Sequence, residues 1–186
     1  MKTITVIGGK LALICAVAAF SLGLVNAVTA PRIEELRLAR LQAALAAVVP
    51  EGSAGEYEAV AESGVVRGYY PVSSASGEKV GYVLRLVGSG YGGDLNMIAS
   101  YLKDGTVHSA VLMDNQETPG LGKEAEKPEY MRMFKGTGGE KDVPYRKSQL
   151  PQDQADAISG ATITFSGIGR ALNTGSDFAA ELGGTE

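Results

Sequence analysis

Asp156-Ala-Ile-Ser-Gly-Ala-Thr-Ile-Thr-Phe165 is short, chemically unusual and followed by a helical pattern. Its centre, Ser159-Gly160-Ala161-Thr162-Ile163-Thr164, places three hydroxyls around a Gly-Ala pair, just ahead of the apolar and small residues Ile168, Ala171 and Leu172. Hydroxyl side chains before such a run mark a helix N-terminus, not a buried strand. A helix start presents unpaired backbone N–H groups and the positive end of the macrodipole, and both suit a phosphate. Gly160 lets the backbone come close to such a group, and Ser and Thr hydroxyls can add hydrogen bonds. From the residues alone this is an anion site at a helix start; a capped start with small residues for tight packing is the other reading. The helix is expected to continue from Phe165 to Leu172 and stop at Asn173-Thr-Gly175, with Ser176 capping a last turn through Leu182.

Working back from that stretch, Glu117-Thr118-Pro119-Gly120-Leu121-Gly122 is turn chemistry, because Pro presets one dihedral and Gly supplies another. Before it, Val65–Val72 and Lys79–Val87 are rich in β-branched and aromatic residues and read as strands, with a turn over Ser73–Gly77. Gly88-Ser-Gly-Tyr-Gly-Gly93 contains a formal G-x-G-x-x-G after a strand. A dinucleotide loop would open a helix, whereas Asp94–Leu102 runs into the hairpin turn Lys103-Asp104-Gly105 and a further strand, Thr106–Met113. These glycines are therefore read as a turn that lets backbone approach something closely. A short helix is expected over Glu124–Phe134, with Tyr130, Met133 and Phe134 on its core side, and surface loop at Thr137–Gly139 and Asp142–Asp153. His108, the sole histidine, sits in a strand without a second ligand in reach, which argues against a metal or a Ser-His triad.

Ser-Gly-Ala-Thr-x-Thr resembles the flavinylation motif of the FMN-binding domain found in the G subunit of Rnf complexes and the C subunit of sodium-pumping NADH:quinone reductases. The resemblance implies FMN carried through a phosphoester bond on Thr164, with Ser159, Gly160, Ala161 and Thr162 around it. Glu-Thr-Pro-Gly-Leu-Gly resembles the other signature of that family, which implies that Glu117, Thr118, Pro119, Gly120, Leu121 and Gly122 lie against the flavin ring. A comparable Gly-Tyr-Gly element makes Tyr91 a candidate pocket residue, beside the plain reading of a hairpin end. The motifs occur in the family's order, and the resemblance covers roughly residues 56–186. A threonine hydroxyl is a weak nucleophile and no base stands beside Thr164 in sequence, so self-attachment is not expected. The resemblance implies a separate flavin transferase that uses FAD as donor.

The single cysteine, Cys15, lies in an apolar segment, which leaves no disulfide framework and no Cys-based metal or iron–sulfur site. Redox chemistry here needs an organic cofactor. A net charge of −4, more acidic once Lys2 and Lys10 are set aside, does not suggest nucleic acid. Residues 11–28 carry no charge and are long enough for a membrane span. A secretory signal peptide cleaved near Val25-Asn-Ala27 is the competing reading, and the length of the run favours a retained anchor. Lys2 and Lys10 would stay in the cytoplasm under the positive-inside rule, but Arg32, Arg37 and Arg40 beyond the span weaken that argument. The resemblance decides for N-terminus inside and C-terminus outside. Pro31 is expected to open an amphipathic helix with a Leu38, Leu41, Leu45, Val48 stripe that ends before Pro50, and Glu51–Gly55 reads as a linker.

The expected protein is α+β: a transmembrane anchor (1–30), an amphipathic helix and linker (31–55), and an extracytoplasmic FMN-binding domain with an antiparallel sheet and flanking helices (56–186). The resemblance implies an electron-transfer subunit of an Rnf-type ion-translocating ferredoxin:NAD oxidoreductase in the cytoplasmic membrane, working with the other subunits of that complex. The C-subunit-like component of a quinone reductase, a stand-alone respiratory FMN protein, and a non-catalytic extracytoplasmic binding module are the alternatives. No nucleotide fingerprint survives, so the chain itself is not expected to bind NAD.

Overall fold

Period-two runs of β-branched and aromatic residues build an antiparallel sheet in the computed structural model, which describes residues 2–49, 52–60 and 64–184. Its strands are β1 (Ser53–Ala54), β2 (Glu58–Ala59), β3 (Val66–Ser73), β4 (Lys79–Ser89), β5 (Asp94–Leu102) and β6 (Val107–Asp114). β3 to β6 follow one another as a meander, and the two short strands pair along the outer edge of β3. The stretch expected as a linker thus supplies β1, whose Ser53 and Ala54 pair with Ser73 and Val72. Pro50 and Glu51, read as a helix stop and the head of that linker, lie outside the described residues.

The register puts Tyr82 opposite Tyr101, Leu84 opposite Ala99 and Leu86 opposite Met97, so one face of the central strands is continuously apolar. Helix α4 (Thr162–Gly184) packs on β4 and β5. It buries Phe165, Ile168 and Leu172 completely. Each such side chain contributes about 1.5–3 kcal/mol by leaving water. Val83 and Ile98 point to the opposite face and are buried as well, so the middle of the sheet is covered on both sides.

Residues 173–175 do not stop α4, which runs unbroken for 23 residues. Gly175 sits where the Tyr101 hydroxyl meets the helix, and any Cβ there would overlap it. Ser176 is not a cap: its hydroxyl donates to the Gly105 carbonyl at 2.8 Å and accepts the Gly139 N–H at 3.0 Å. Packing on the sheet overrides the local stop signal.

Between β6 and α4 the expected single helix over 124–134 is three short turns, a 3-10 turn (Gly122–Glu126), α2 (Pro128–Met131) and another 3-10 turn (Arg132–Phe134). Pro128 forces Lys127 into extended backbone (φ −76°, ψ 134°), which breaks the run. Tyr130 and Phe134 are buried and Met133 is partly buried, as the spacing implied. The expected surface loop at 142–153 instead buries Val143, forms a 3-10 turn (Lys147–Gln149) and leads into α3 (Gln152–Ala157).

Helix α1 (Lys2–Val48) passes through Pro31 without a break, where two segments had been expected. An interior proline costs about 3 kcal/mol, and the helix formers on both sides and the absence of any other stop signal outweigh it. The chain divides into two compact units, Met1–Leu41 and Gln42–Glu186. In the second, Val48 is buried and Leu45 half-buried, whereas Leu38 in the first is exposed, so the stripe is realised only towards its C-terminal end. In the first unit Leu11, Ile14, Val17, Phe20, Leu24 and Val28 are all exposed, and the helix is long and apolar enough to cross a membrane. The chain is α+β, with a long apolar N-terminal helix and an antiparallel sheet flanked by helices.

Candidate functional site

Gly160, with φ +88°, ends the approach to α4, and Ala161 accepts the first helical hydrogen bond, from Phe165 N–H at 3.0 Å. Helix geometry leaves the amides of Thr162, Ile163 and Thr164 without intrahelical acceptors. The Ser159–Thr164 motif is therefore a helix start, as expected.

Thr118–Leu121 is a tight turn. The Leu121 N–H donates to the Thr118 carbonyl at 3.1 Å, Pro119 occupies the second position, and Gly120 takes the third at φ +77°. That is the type II pattern, for which a positive φ is required at the third residue. The turn lies against the start of α4, since a Cβ on Gly160 would come within 2.9 Å of Leu121 Cδ2.

The two loops meet at one hydrogen bond. Thr164 Oγ1 donates to Glu117 Oε2 at 2.7 Å, although 47 residues separate them. Both side chains are buried, at 1% and 5% exposure. The other carboxylate oxygen, Oε1, accepts the Gly92 N–H at 2.9 Å, and the Glu117 N–H donates to Asn115 Oδ1 at 3.0 Å. Three glycines make this possible. A Cβ on Gly90 would overlap Glu117 Oε1, one on Gly92 would overlap the Gln116 carbonyl, and one on Gly122 would overlap Glu117 Oε2 and stand 2.8 Å from Thr164 Oγ1. The Gly88–Gly93 stretch, read as a close approach to an unidentified neighbour, approaches Glu117 and the start of α4, where Gly88 meets Gly167.

A cavity of about 390 Å³ opens over this pair. Glu117, Thr118, Leu121 and Gly122 line it from one loop, Gly160, Ala161, Thr162, Ile163 and Thr164 from the other, and Tyr91 from the β4–β5 hairpin. Pro119, Gly120 and Ser159 belong to the same loops but do not line it. Tyr91, Ile163 and Leu121 expose apolar surface at its rim. The residues fit a ligand with an anionic end and a flat apolar end: free amides at a helix start for the first, exposed apolar side chains for the second.

Two neighbours escaped the sequence reading. The motif resemblance implies a ring contact for Glu117, and the sequence places no base beside Thr164; the structure puts the Glu117 carboxylate on its hydroxyl. Lys147 donates to Ser159 Oγ at 2.8 Å and brings a cation to the motif, from a loop with no periodic signal. Tyr130 keeps a buried hydroxyl that has no hydrogen-bond partner. Burial first, and the charge of Glu117 second, raise its pKa far above the ordinary phenol value. Among the described residues no group of three or more His, Cys, Asp or Glu side chains could hold a metal ion.

Residues 90–176, which contain both loops and Tyr91, match the family model of the FMN-binding domain. Over 95% of its length the chain is 31% identical to 95% of the G subunit of an ion-translocating oxidoreductase complex from Methanosarcina acetivorans. The chain belongs to this G-subunit family. A second relative, the G subunit of the Na(+)-translocating ferredoxin:NAD(+) oxidoreductase complex of Acetobacterium woodii, is 28% identical over 92% of this chain and 89% of its own. In fold, the chain resembles NqrC of Shewanella oneidensis, with a TM-score of 0.52 at 22% identity over 64% of this chain and 61% of that one. The G-subunit family thus accounts for nearly the whole length of the chain, and the NqrC likeness for its architecture.

Proposed function

We propose that this chain is the FMN-carrying electron-transfer subunit of an Rnf-type ion-translocating ferredoxin:NAD oxidoreductase complex, with FMN joined to Thr164 by a phosphoester bond. One observation carries the reading: Thr164, at the head of a 23-residue helix, lines a cavity shared by both family motifs. Bound there, FMN supplies one- and two-electron transfer between fixed partners. The chain's residues bind and orient. The amides of 162–164 and the helix dipole favour the phosphate end, the turn Thr118–Leu121 and Tyr91 offer the surface for the ring, and Ser159, Gly160 and Ala161 shape the approach. Relatives named as G subunits of ion-translocating complexes support assembly with other membrane subunits. A flavin transferase with FAD as donor would load the cofactor.

In this reading residues 1–30 anchor the chain in the cytoplasmic membrane, 31–55 lead from the anchor and add β1 to the sheet, and 56–186 form the rest of the FMN-binding domain outside it. A phosphoester tether keeps the cofactor on a domain where free FMN is not resupplied. The full chain, expressed with its transferase, should fluoresce under ultraviolet light on a denaturing gel, and Thr164→Val should abolish the band. Persistence of the band in that variant would place the flavin elsewhere.

A further inference from the structure

Next to the motif cavity, two grooves gather cations that the binding of FMN leaves unused. One, of about 710 Å³, runs along the exposed side of α4, with Ser166, Arg170 and Thr174 on the helix and Arg67, Ser89 and Asp94 on the sheet. Thr162 and Ile163 line both this groove and the motif cavity, so the two adjoin. Arg67 and Asp94 also line a second groove, of about 580 Å³, together with Arg85 and Tyr57.

Charge sets these walls apart from the rest of an acidic chain of net charge −4. Of the five arginines beyond residue 50, four, Arg67, Arg85, Arg146 and Arg170, stand around the grooves. Among the described residues none of the four enters an ion pair, whereas the fifth, Arg132, lies 4.0 Å from Glu129. Three of them are held over aromatic rings instead. Arg85 lies 5.5 Å from the centre of the Tyr57 ring, and Arg146 and Arg170 lie 5.1 and 5.7 Å from that of Tyr145. Stacking of this kind fixes a guanidinium without neutralising it. The loop that carries Tyr145 is itself tied to the helix: Ser166 Oγ donates to the Tyr145 carbonyl at 2.8 Å, and Gly169 leaves the space that Tyr145 fills. Lys147, from the same loop, adds a fifth cation at Ser159.

A single cofactor phosphate is served by the amides at the helix start. Cations spread over two grooves on either side of Arg67 suit an extended anionic surface instead. Arginine mixed with tyrosine is the composition of protein interfaces, and the exposed Ile163 and Tyr91 beside the grooves supply apolar contact. We propose that this arginine-lined face docks an acidic segment of a protein partner, seated beside the mouth of the motif cavity. That the partner is a redox subunit rests on the proposed function; the docking itself does not depend on which residue bears the flavin. Arg67 and Arg170 are its principal anchors, because they flank the larger groove from the sheet and from the helix.

The test uses full-length chain in native membranes, with the photo-cross-linking residue p-benzoylphenylalanine in place of Thr174, an exposed groove position. After illumination, mass spectrometry should find a cross-link to another polypeptide, in a segment where Asp and Glu outnumber Lys and Arg. The same probe in place of Glu140, on an exposed loop outside the grooves, should not form it. Arg67→Glu combined with Arg170→Glu should keep the melting temperature and the flavin content yet lower the cross-link yield at least ~10-fold, since facing like charges repel strongly. The milder pair Arg67→Gln and Arg170→Gln should fall between, and Lys in place of the partner's cross-linked acids should restore the yield to the doubly reversed chain. A cross-link that survives both pairs of substitutions, a partner segment without an acidic excess, a lipid adduct, or no adduct at 174 while a probe in the apolar run 11–28 reacts would overturn the proposal. A cross-link that meets every expectation but joins a protein outside any oxidoreductase complex would leave the docking face standing and remove the redox-complex reading.

Discussion

Gly120 and Gly122 stand two residues apart in one turn and do different things. Gly120 has φ +77° and open space where a Cβ would go, so alanine there meets backbone strain alone. That strain costs about 1–2 kcal/mol. At Gly122 a Cβ would overlap Glu117 Oε2 and crowd Thr164 Oγ1, so alanine must push the carboxylate aside. Overpacking of that kind costs about 1–3 kcal/mol. The two variants should therefore look alike in a melting experiment and, on the proposed attachment at Thr164, differ in flavin loading: Gly120→Ala loads at close to the wild-type rate, and Gly122→Ala, which crowds the Thr164 hydroxyl, loads slowly. Equal loading would mean that the Glu117–Thr164 contact is irrelevant to attachment. Sequence located the members of this pair but not the pair itself. Glu117 was visible as part of one motif and Thr164 as part of another, whereas their hydrogen bond depends on how the two loops are brought together by the fold, which no local pattern records.

Among the secondary-structure elements, α4 and β5 are joined by Tyr101. Its hydroxyl donates to the Leu172 carbonyl at 3.0 Å, fully inside the protein, at the place where Gly175 leaves room. Burial, and then the charge of Asp177, push the Tyr101 pKa well above the phenol value. A proton held more tightly in the folded state than in the unfolded one adds stability below the unfolded pKa and withdraws it as pH rises beyond. Removing the hydroxyl by Tyr101→Phe should cost about 1 kcal/mol near neutrality, the net value of one hydrogen bond. That advantage of the wild type should shrink above about pH 10, where the unfolded chain's phenol ionises and the native one does not. Urea unfolding at several pH values measures both. The same contact explains why α4 continues through Asn173-Thr-Gly175, against the local stop signal. A glycine near the end of an apolar run is normally a stop, and only the tyrosine across the interface shows that this one is a notch. The meander from β3 to β6 was readable because alternating β-branched and aromatic runs bounded by turn residues act locally. The broken turns over 122–134 were harder, since Pro128 lies inside a run whose apolar spacing looked helical.

For the whole molecule, the proposed placement of the FMN-binding domain outside the membrane is a statement about orientation. Charge does not decide it. Lys2 and Lys10 precede the apolar run, but Arg32, Arg37 and Arg40 follow it, and the acidic residues beside them count for little in orientation even though Arg32 and Glu35 pair at 2.8 Å. The reading of a permanently tethered cofactor is what favours the outside, because a domain in the cytoplasm could exchange FMN with a free pool and would gain less from a covalent bond. Cys15 is the single native thiol and lies within the apolar run, so a reporter can be placed cleanly. In a Cys15→Ser chain carrying Glu140→Cys, at an exposed loop position of the second unit, a membrane-impermeant maleimide should label intact cells stripped of any outer membrane. A cysteine placed at Lys2 should label only after the membrane is permeabilised. The opposite pattern would put the FMN domain in the cytoplasm and remove the need for a tether as the reason for the Thr164 site, while labelling of both cysteines in intact cells would mean that the N-terminal run does not span the membrane at all.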